Sequence, residues 1–326
     1  MLPQMTAASP TKLRYVFGPV LSGRLGRSLG LDLLGARICS FDCLYCEVGP
    51  TAQKTVKRAV YVKPDAILAE LAAHKATDPS PVDAVTLGGL GEPCLNEAIG
   101  EIIAGAKRVY PDTPVAILTN SSLLWQGAVR SDIMSADIVL PSLDSLVPSE
   151  FARLNRPAPE ISLEMVKNGL VRLREQFSGR IYLEVLLADG INDSVENLEA
   201  LRQFRSLCRP DRIDVVSLSR PGAYPKAKTA SARAMENFSR ALGSLPVSGT
   251  LGGHGPAGLM NARAPSSLED AVIGSLRRRP QTASQLARAL GRTDEELGRI
   301  LGTLEDEGRI VARDQLGAKF YSLAGA

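Results

Sequence analysis

The sequence predicts an α/β fold: a parallel sheet with helical crossovers, followed by a small domain of three helices and a hairpin. Three observations carry that expectation. Six short apolar runs recur, at residues 29–34, 83–88, 115–119, 137–141, 181–187 and 213–218. Amphipathic stretches of helical spacing separate them, which is the pattern of βαβ units. From residue 266 the pattern changes to three helices and two alternating segments, 309–313 and 318–323, about Gly317. The 326 residues exceed the roughly 100–200 expected of one domain. The chain divides as 1–245, a Gly/Pro-rich linker 246–265, and 266–326.

Taken in order, residues 15–27 (YVFGPVLSGRLGR) are a glycine-rich, basic lead-in to the first strand. A loop with three cysteines follows that strand. The C-terminal ends of strands are where α/β barrels keep their chemistry. Pro64 opens the first helix, with Ile67, Leu68 and Leu71 at apolar spacing. Proline suits a first turn, where its missing N–H is not needed. The second helix spans 96–110, with Ile99, Ile102, Ile103 and Ala106 on one face. Further helices are predicted over 125–135, 160–176, 195–207 and 231–242, and Asn155-Arg156-Pro157 is read as loop. Six units are too few for a closed eight-stranded barrel. In the C-terminal part, helices are predicted over 268–278, 283–290 and 293–308. Thr293 and Glu296 form a capping box at the start of the last one.

The composition is that of an ordinary globular protein, 44% hydrophobic and 22% charged. No apolar run approaches the roughly 18 residues that span a bilayer. Residues 1–12 hold no apolar signal core. A cytoplasmic protein away from membranes is expected, with reduced thiols rather than a disulfide framework. The net charge is only +3, but residues 12–63 carry nine Lys/Arg against three acids, while 266–326 carry nine of each. Arg24, Arg27, Arg37, Lys54, Lys57 and Arg58 flank the cysteine loop. Two readings stand level: a positive rim for an anion such as a phosphate backbone, or a solvated surface with scattered counter-charges.

The chemistry centres on Cys39-Ser-Phe-Asp-Cys43-Leu-Tyr-Cys46, which holds three of the five cysteines. Thiolates are soft ligands that suit zinc or iron–sulfur clusters. A structural zinc site wants four ligands, and no fourth is obvious: His74, His254, Cys94 and Cys208 lie far along the chain. Three thiolates on a cubane cluster leave one iron open, which suits catalysis; four cysteines are usual for electron storage. The alternatives are a zinc knuckle short of one ligand, a disulfide with a spare thiol, or chance clustering. Cys94 reads as a buried thiol or a hydrogen donor, and His254 as a surface-loop residue.

The spacing C-x3-C-x2-C, with Tyr45 before the last cysteine, resembles the signature of the radical S-adenosylmethionine (SAM) superfamily. The resemblance implies an open, partial (βα)6 TIM-like barrel. It implies a [4Fe–4S] cluster on Cys39, Cys43 and Cys46, with SAM chelating the open iron through its amino and carboxylate groups. Reduction by a flavodoxin or ferredoxin would then split SAM into methionine and a 5′-deoxyadenosyl radical. Tyr45 would pack near the adenine. Gly91-Glu92-Pro93 is similar to the family's Gly-Gly-Glu-Pro motif, with Leu90 where the first glycine is common, so Gly91 and Glu92 would hold the SAM amino group. Thr119-Asn120-Ser121 is similar to the family's Thr-Asn-Gly. Ser142 and Asp144, on one face of a strand, resemble the ribose-binding position. Glu184, among apolar neighbours, needs a partner or a ligand. Arg156 or Arg220 would serve, and structural ion pairing stands level with SAM contact.

The set GPVLSGRLGRSLGLDLL, CSFDCLYC, GEP, TNSS, SLDS, LNRP and GIND resembles, over residues 14–222, radical SAM proteins related to wyosine-base tRNA synthases. True wyosine synthases carry upstream cysteines for a second cluster, and this chain has none before Cys39. The C-terminal helices and hairpin resemble a winged helix-turn-helix domain. Its third helix opens Thr293-Asp294-Glu295-Glu296, whose acids would face phosphate, so docking to protein or dimerisation is expected ahead of duplex binding. Three functions are open: modification of RNA or tRNA, modification of a peptide with the C-terminal domain as docking module, and a redox-responsive regulator.

Overall fold

The computed structural model describes residues 13–78, 81–244, 268–277 and 279–324. Strands β1 (Val16–Ser22) and β2 (Gly26–Asp32) form an antiparallel hairpin. Two short strands, β3 (Ile38–Cys39) and β4 (Gln53–Lys54), pair in parallel and draw together the two ends of the cysteine loop. Five helix-to-strand steps and a final helix follow: α1 (Pro64–Thr77), β5 (Ala84–Gly88), α2 (Ile99–Val109), β6 (Val115–Thr119), α3 (Gly127–Ile133) and β7 (Ile138–Pro141). Then come α4 (Pro148–Asn155), α5 (Leu163–Gln176), β8 (Arg180–Leu187), α6 (Val195–Cys208), β9 (Arg212–Ser217) and α7 (Ala232–Leu242).

The seven-stranded sheet has the order β1-β2-β5-β6-β7-β8-β9, and every pair after the first is parallel. Each crossover therefore advances to the next strand in line, which is the wiring of a (βα)6 partial barrel. Among the described residues no ladder joins β1 to β9, so the barrel is open along that side. Strand β8 shows how the sequence sets the layers. Ile181, Leu183, Val185 and Leu187 are buried beneath the helices, while Tyr182, Glu184 and Leu186 face the interior and are half-buried. Ser162, Ser194 and Ser231 cap α5, α6 and α7, each accepting from a first-turn N–H.

All six apolar runs are strands of this sheet. Two segments differ from the sequence reading. Residues 15–27 are not a lead-in but supply β1 and the turn into β2, and that turn enters the barrel interior. Leu25 packs there with Ala116, Ile138, Leu140, Leu118 and Tyr182. Beside it, Arg24 pairs with Glu184. Gly18 and Pro19 hid the strand by breaking up its apolar residues. The second difference is α4, which ends at Asn155 where loop was expected. Pro148 in its first turn and buried Phe151 and Leu154 are its signals, and they were readable.

Arg24 reaches Glu184 where Arg156 or Arg220 was expected. Both side chains are less than a third exposed. Removing Arg24 strands a carboxylate inside the barrel. Arg24→Ala is expected to lower stability by about 3 kcal/mol. Adding Glu184→Gln to that variant should recover much of the loss, read as the urea midpoint of each protein.

The C-terminal part consists of α8 (Leu268–Leu276), α9 (Ala283–Leu290), α10 (Asp294–Asp306) and the antiparallel pair β10 (Ile310–Gln315) and β11 (Ala318–Leu323). It has its own apolar core, including Val272, Leu286, Leu297, Leu301 and Leu304. The capping box at Thr293 and Glu296 is present, and Thr282 with Gln285 forms a second one. The linker 246–265 and His254 lie outside the described residues. No helix among those described is long and apolar enough to cross a membrane.

Candidate functional site at the C-terminal end of the barrel

The cysteine loop leaves β3 at Cys39 and is tied down on every side. Asp42 accepts from the Thr51 N–H at 2.9 Å and from the Tyr224 hydroxyl at 2.9 Å, and it pairs with Arg156 at 3.0 Å. The Asp42 and Leu44 N–H groups donate to the Asn155 and Leu154 carbonyls at the end of α4. Ser40 Oγ meets Ser122 Oγ at 2.6 Å, and the Tyr224 N–H donates to the Leu44 carbonyl. A loop so pinned holds its thiols in fixed places without a bound group.

All three thiols are free. Cys39 Sγ accepts from the Phe41 N–H and from Asn120 Nδ2, both at 3.4 Å. Cys43 Sγ faces Asn155 Nδ2 at 3.7 Å. Burial pushes the Cys39 thiol up to about 12, with the nearby Glu92 carboxylate adding to it. Burial pushes Cys46 to about 11 and Cys43 well above its ordinary value, the neighbouring thiols adding in the latter case. Without a cation this trio is a set of neutral thiols; a bound cation releases their protons. Among the described residues no three His, Cys, Asp or Glu groups are gathered as a ready metal site, so the loop is not drawn in around a point-like ion. The donor set still suits a cluster: three thiols, with amide N–H groups aimed at two sulfurs, are what a thiolate-bound cluster needs for charge and hydrogen bonding.

The other expected residues gather around this loop. Gly91 lies so close to β3 that a Cβ there would sit 1.7 Å from the Ile38 carbonyl oxygen. The close approach it permits is therefore to the cysteine strand itself. Glu92 is buried, and its N–H donates to that same carbonyl at 3.1 Å. Its carboxylate accepts from the Thr119 hydroxyl and the Asn120 N–H, each at 2.7 Å, and from the Cys94 N–H at 3.1 Å. Burial raises its pKa, and those donors oppose the rise. Asn120 bridges Glu92, Cys39 and Ser40, its Nδ2 lying 3.0 Å from Ser40 Oγ. Ser121, at the glycine position of the Thr-Asn-Gly pattern, has φ +68°, and its hydroxyl donates to the Ser142 carbonyl at 2.7 Å.

Tyr45, Asn120, Ser142 and Asp144 line one cavity, together with Phe41 and Asn155. Asp144 is its hub. Its carboxylate accepts from the Tyr45 hydroxyl at 2.6 Å, Asn155 Nδ2 at 2.7 Å and the Leu186 N–H at 3.0 Å. Its carbonyl accepts from Asn192 and Asn197. These contacts occupy the Asp144 carboxylate with protein. Asn155 Oδ1 is buried with no partner among the described residues, an acceptor left open at the cavity wall. Asp144→Ala orphans three buried donors at roughly 1–3 kcal/mol each, so a loss of about 4 kcal/mol is expected in chemical denaturation. Glu184 stands apart. Its carboxylate is held by Arg24, and only its backbone joins the site, the Leu143 N–H donating to its carbonyl at 2.9 Å.

The basic rim is smaller than the sequence suggested. Arg24 is inside the barrel, Arg27 lies beside Asp83 at the other end of β2, and Arg58 is paired with Asp132 at 2.6 Å. Arg37, Lys54 and Lys57 remain near the loop. Sequence reasoning quoted Asn155 within LNRP but gave it no role, and it missed Asn197, because a buried asparagine has no period or spacing to announce its partners.

Comparison with known proteins gives four findings. Residues 33–202, just over half of the chain, match the profile described as the Radical SAM superfamily. A UPF0026 protein of Synechocystis is 36% identical over 65% of this chain and 78% of its own length. A Brachyspira hyodysenteriae protein named GTPase Obg is 32% identical over 95% of this chain, and the chain spans only 45% of that relative. This chain contains no G-x-x-x-x-G-K-S/T phosphate loop. Among solved structures, a radical SAM methyltransferase from Sphaerobacter thermophilus aligns with a TM-score of 0.49 and 16% identity, over 67% of this chain and 64% of that one.

Proposed function

Because the chain belongs to the radical SAM superfamily, whose members use SAM and a [4Fe–4S] cluster, we propose that Cys39, Cys43 and Cys46 hold the one cluster of this radical SAM enzyme. The observation that carries this is the pinned loop of three free thiols, two of them facing asparagine amides, beside the cavity of Tyr45, Asn120, Ser142 and Asp144. When bound, the cluster supplies the electron that cleaves SAM to methionine and a 5′-deoxyadenosyl radical. The chain's own residues do the positioning. Glu92 and the backbone around Gly91 receive the SAM ammonium group. Asn120 and Ser142 offer polar contacts along the cavity, and Tyr45 supplies an aromatic face whose hydroxyl is locked by Asp144. A flavodoxin or ferredoxin is the expected electron donor.

We take RNA, tRNA above all, as the substrate. The motif set resembling wyosine-related proteins supports this, as do the exposed Lys54 and Lys57 beside the loop. The second reading is a peptide substrate docked by the C-terminal part, taken as a winged helix. Its α10 opens with exposed Asp294, Glu295 and Glu296, which repel a duplex. The test is anaerobic reconstitution, reduction with SAM, and measurement of 5′-deoxyadenosine with and without bulk tRNA. Stimulation by tRNA supports the RNA reading. Slow cleavage indifferent to tRNA supports the peptide reading, and no cleavage by a loaded protein rejects both.

A further inference from the structure

One side chain touches both the cysteine loop and the wall of the cavity beside it. Asn155 is the last residue of α4 and is 3% exposed. Its carbonyl accepts from the Asp42 N–H at 3.1 Å, and the Leu154 carbonyl before it accepts from the Leu44 N–H at 2.9 Å. Arg156 then turns the chain away with φ +47°. The backbone at Asn155 is therefore tied to the loop on either side of Cys43. The side chain is tied as well. Its Nδ2 donates to Asp144 Oδ2 at 2.7 Å and reaches Cys43 Sγ at 3.7 Å. An amide nitrogen carries two hydrogens, so both bonds can be made at once.

Asp144 decides which end of the amide faces the sulfur. A carboxylate only accepts, and this one already takes the Tyr45 hydroxyl and the Leu186 N–H. It must therefore meet the nitrogen of Asn155 and not the oxygen. The same orientation leaves Asn155 Oδ1 buried without a partner among the described residues, at a cost in free energy. A residue kept only to serve Asp144 needs one donor. Asn155 supplies two, and the second is aimed at a thiol. N–H groups directed at cluster-bound sulfur favour the reduced, more negative state and so raise the reduction potential. Asn120 stands in the same relation to Cys39, but it also joins Glu92 and Ser40. Asn155 is the side chain in which the effect on sulfur can be read apart from the residues expected to hold the SAM ammonium group.

We infer that Asn155 is a positioning residue that poises the cluster: its amide, oriented by Asp144, donates to Cys43 and raises the potential of the group the three thiols hold. This rests on the cluster assignment above and deepens it.

The experiment is a redox titration of the full, anaerobically reconstituted chain without SAM, followed by electron paramagnetic resonance, with iron content measured on each sample. Asn155→Ala removes both donors. Asn155→Leu removes them too but fills the space, so it stands in if the alanine variant folds poorly. Each should lower the midpoint potential by about 59 mV, a tenfold shift in a one-electron equilibrium. The control is Asn197→Ala. Asn197 belongs to the same buried network, donating to the Asp144 and Asn192 carbonyls at 3.0 and 2.8 Å, with no bond to a sulfur. Its loss should lower the urea midpoint and leave the potential at the wild-type value. An unmoved potential in the Asn155 variants overturns the proposal. So does an equal fall in Asn197→Ala, which would make the effect a general loosening. If neither Asn155 variant loads iron while Asn197→Ala does, Asn155 serves assembly of the loop and the proposal fails. A wild type that loads no cluster rejects the ligand assignment itself, whereas a loaded wild type with the Asn155 variants at its potential rejects the role of Asn155 alone.

Discussion

Cys43→Ala should emerge from reconstitution with little iron, without the visible absorption of a cluster, and with reductive cleavage of SAM below detection. Cys43 is the middle ligand of the proposed three, and no spare thiol is placed to replace it. Cys94 is buried, its Sγ 3.7 Å from the Thr119 hydroxyl, and Cys208 is buried at the end of α6. The matched control is Cys94→Ala. It should cost about 1 kcal/mol of stability, as a small buried side chain shortened by one atom, and should load iron like wild type. Iron and sulfide analysis of the two variants side by side settles the ligand set. Normal loading of Cys43→Ala would remove the cluster assignment, whatever the activity.

Gly91→Ala is expected to be nearly as damaging, although it adds one methyl group and touches no thiol. The new Cβ would fall 1.7 Å from the Ile38 carbonyl oxygen, and that neighbour is backbone. The two segments must separate by more than an ångström, which breaks the bond from the Glu92 N–H to the same carbonyl. Overpacking at such a contact costs roughly 3 kcal/mol or more. The displaced strand is the one that ends in Cys39, so cluster loading should fall along with stability. Gly298→Ala gives the opposite sign. That glycine lies inside α10 with nothing within 4 Å of the added methyl, and alanine should raise helix stability by about 0.5–1 kcal/mol. Thermal melts of both variants, with iron content for the first, test the pair.

Much of this architecture was legible in the residues because its signals are local. Strand runs such as Val115–Thr119 and the capping box at Thr293 and Glu296 depend on near neighbours only. The cysteine spacing is local too. What could not be read depends on partners far apart in sequence. Glu184 needed an arginine, and the nearby candidates were wrong because Arg24 arrives from a hairpin 160 residues earlier. Asp144 looked ready for a ligand until Tyr45, Asn155 and Leu186 were found upon it. Gly91 was read as a close approach to SAM, and the close approach that its missing Cβ permits is to Ile38. In each case the residue type was informative, and its partner was set by the closing of the sheet.

The turn between β1 and β2 has a consequence for traffic through the molecule. With Leu25 and Arg24 lodged in the interior, the barrel is a blind well rather than a bore. Along the barrel axis, whatever is modified must enter and leave by the same end, past the cysteine loop. A polymer cannot be threaded through and scanned; it has to present a protruding part. For RNA, that means a nucleotide swung out of its stack, most cheaply from a loop or an unpaired position.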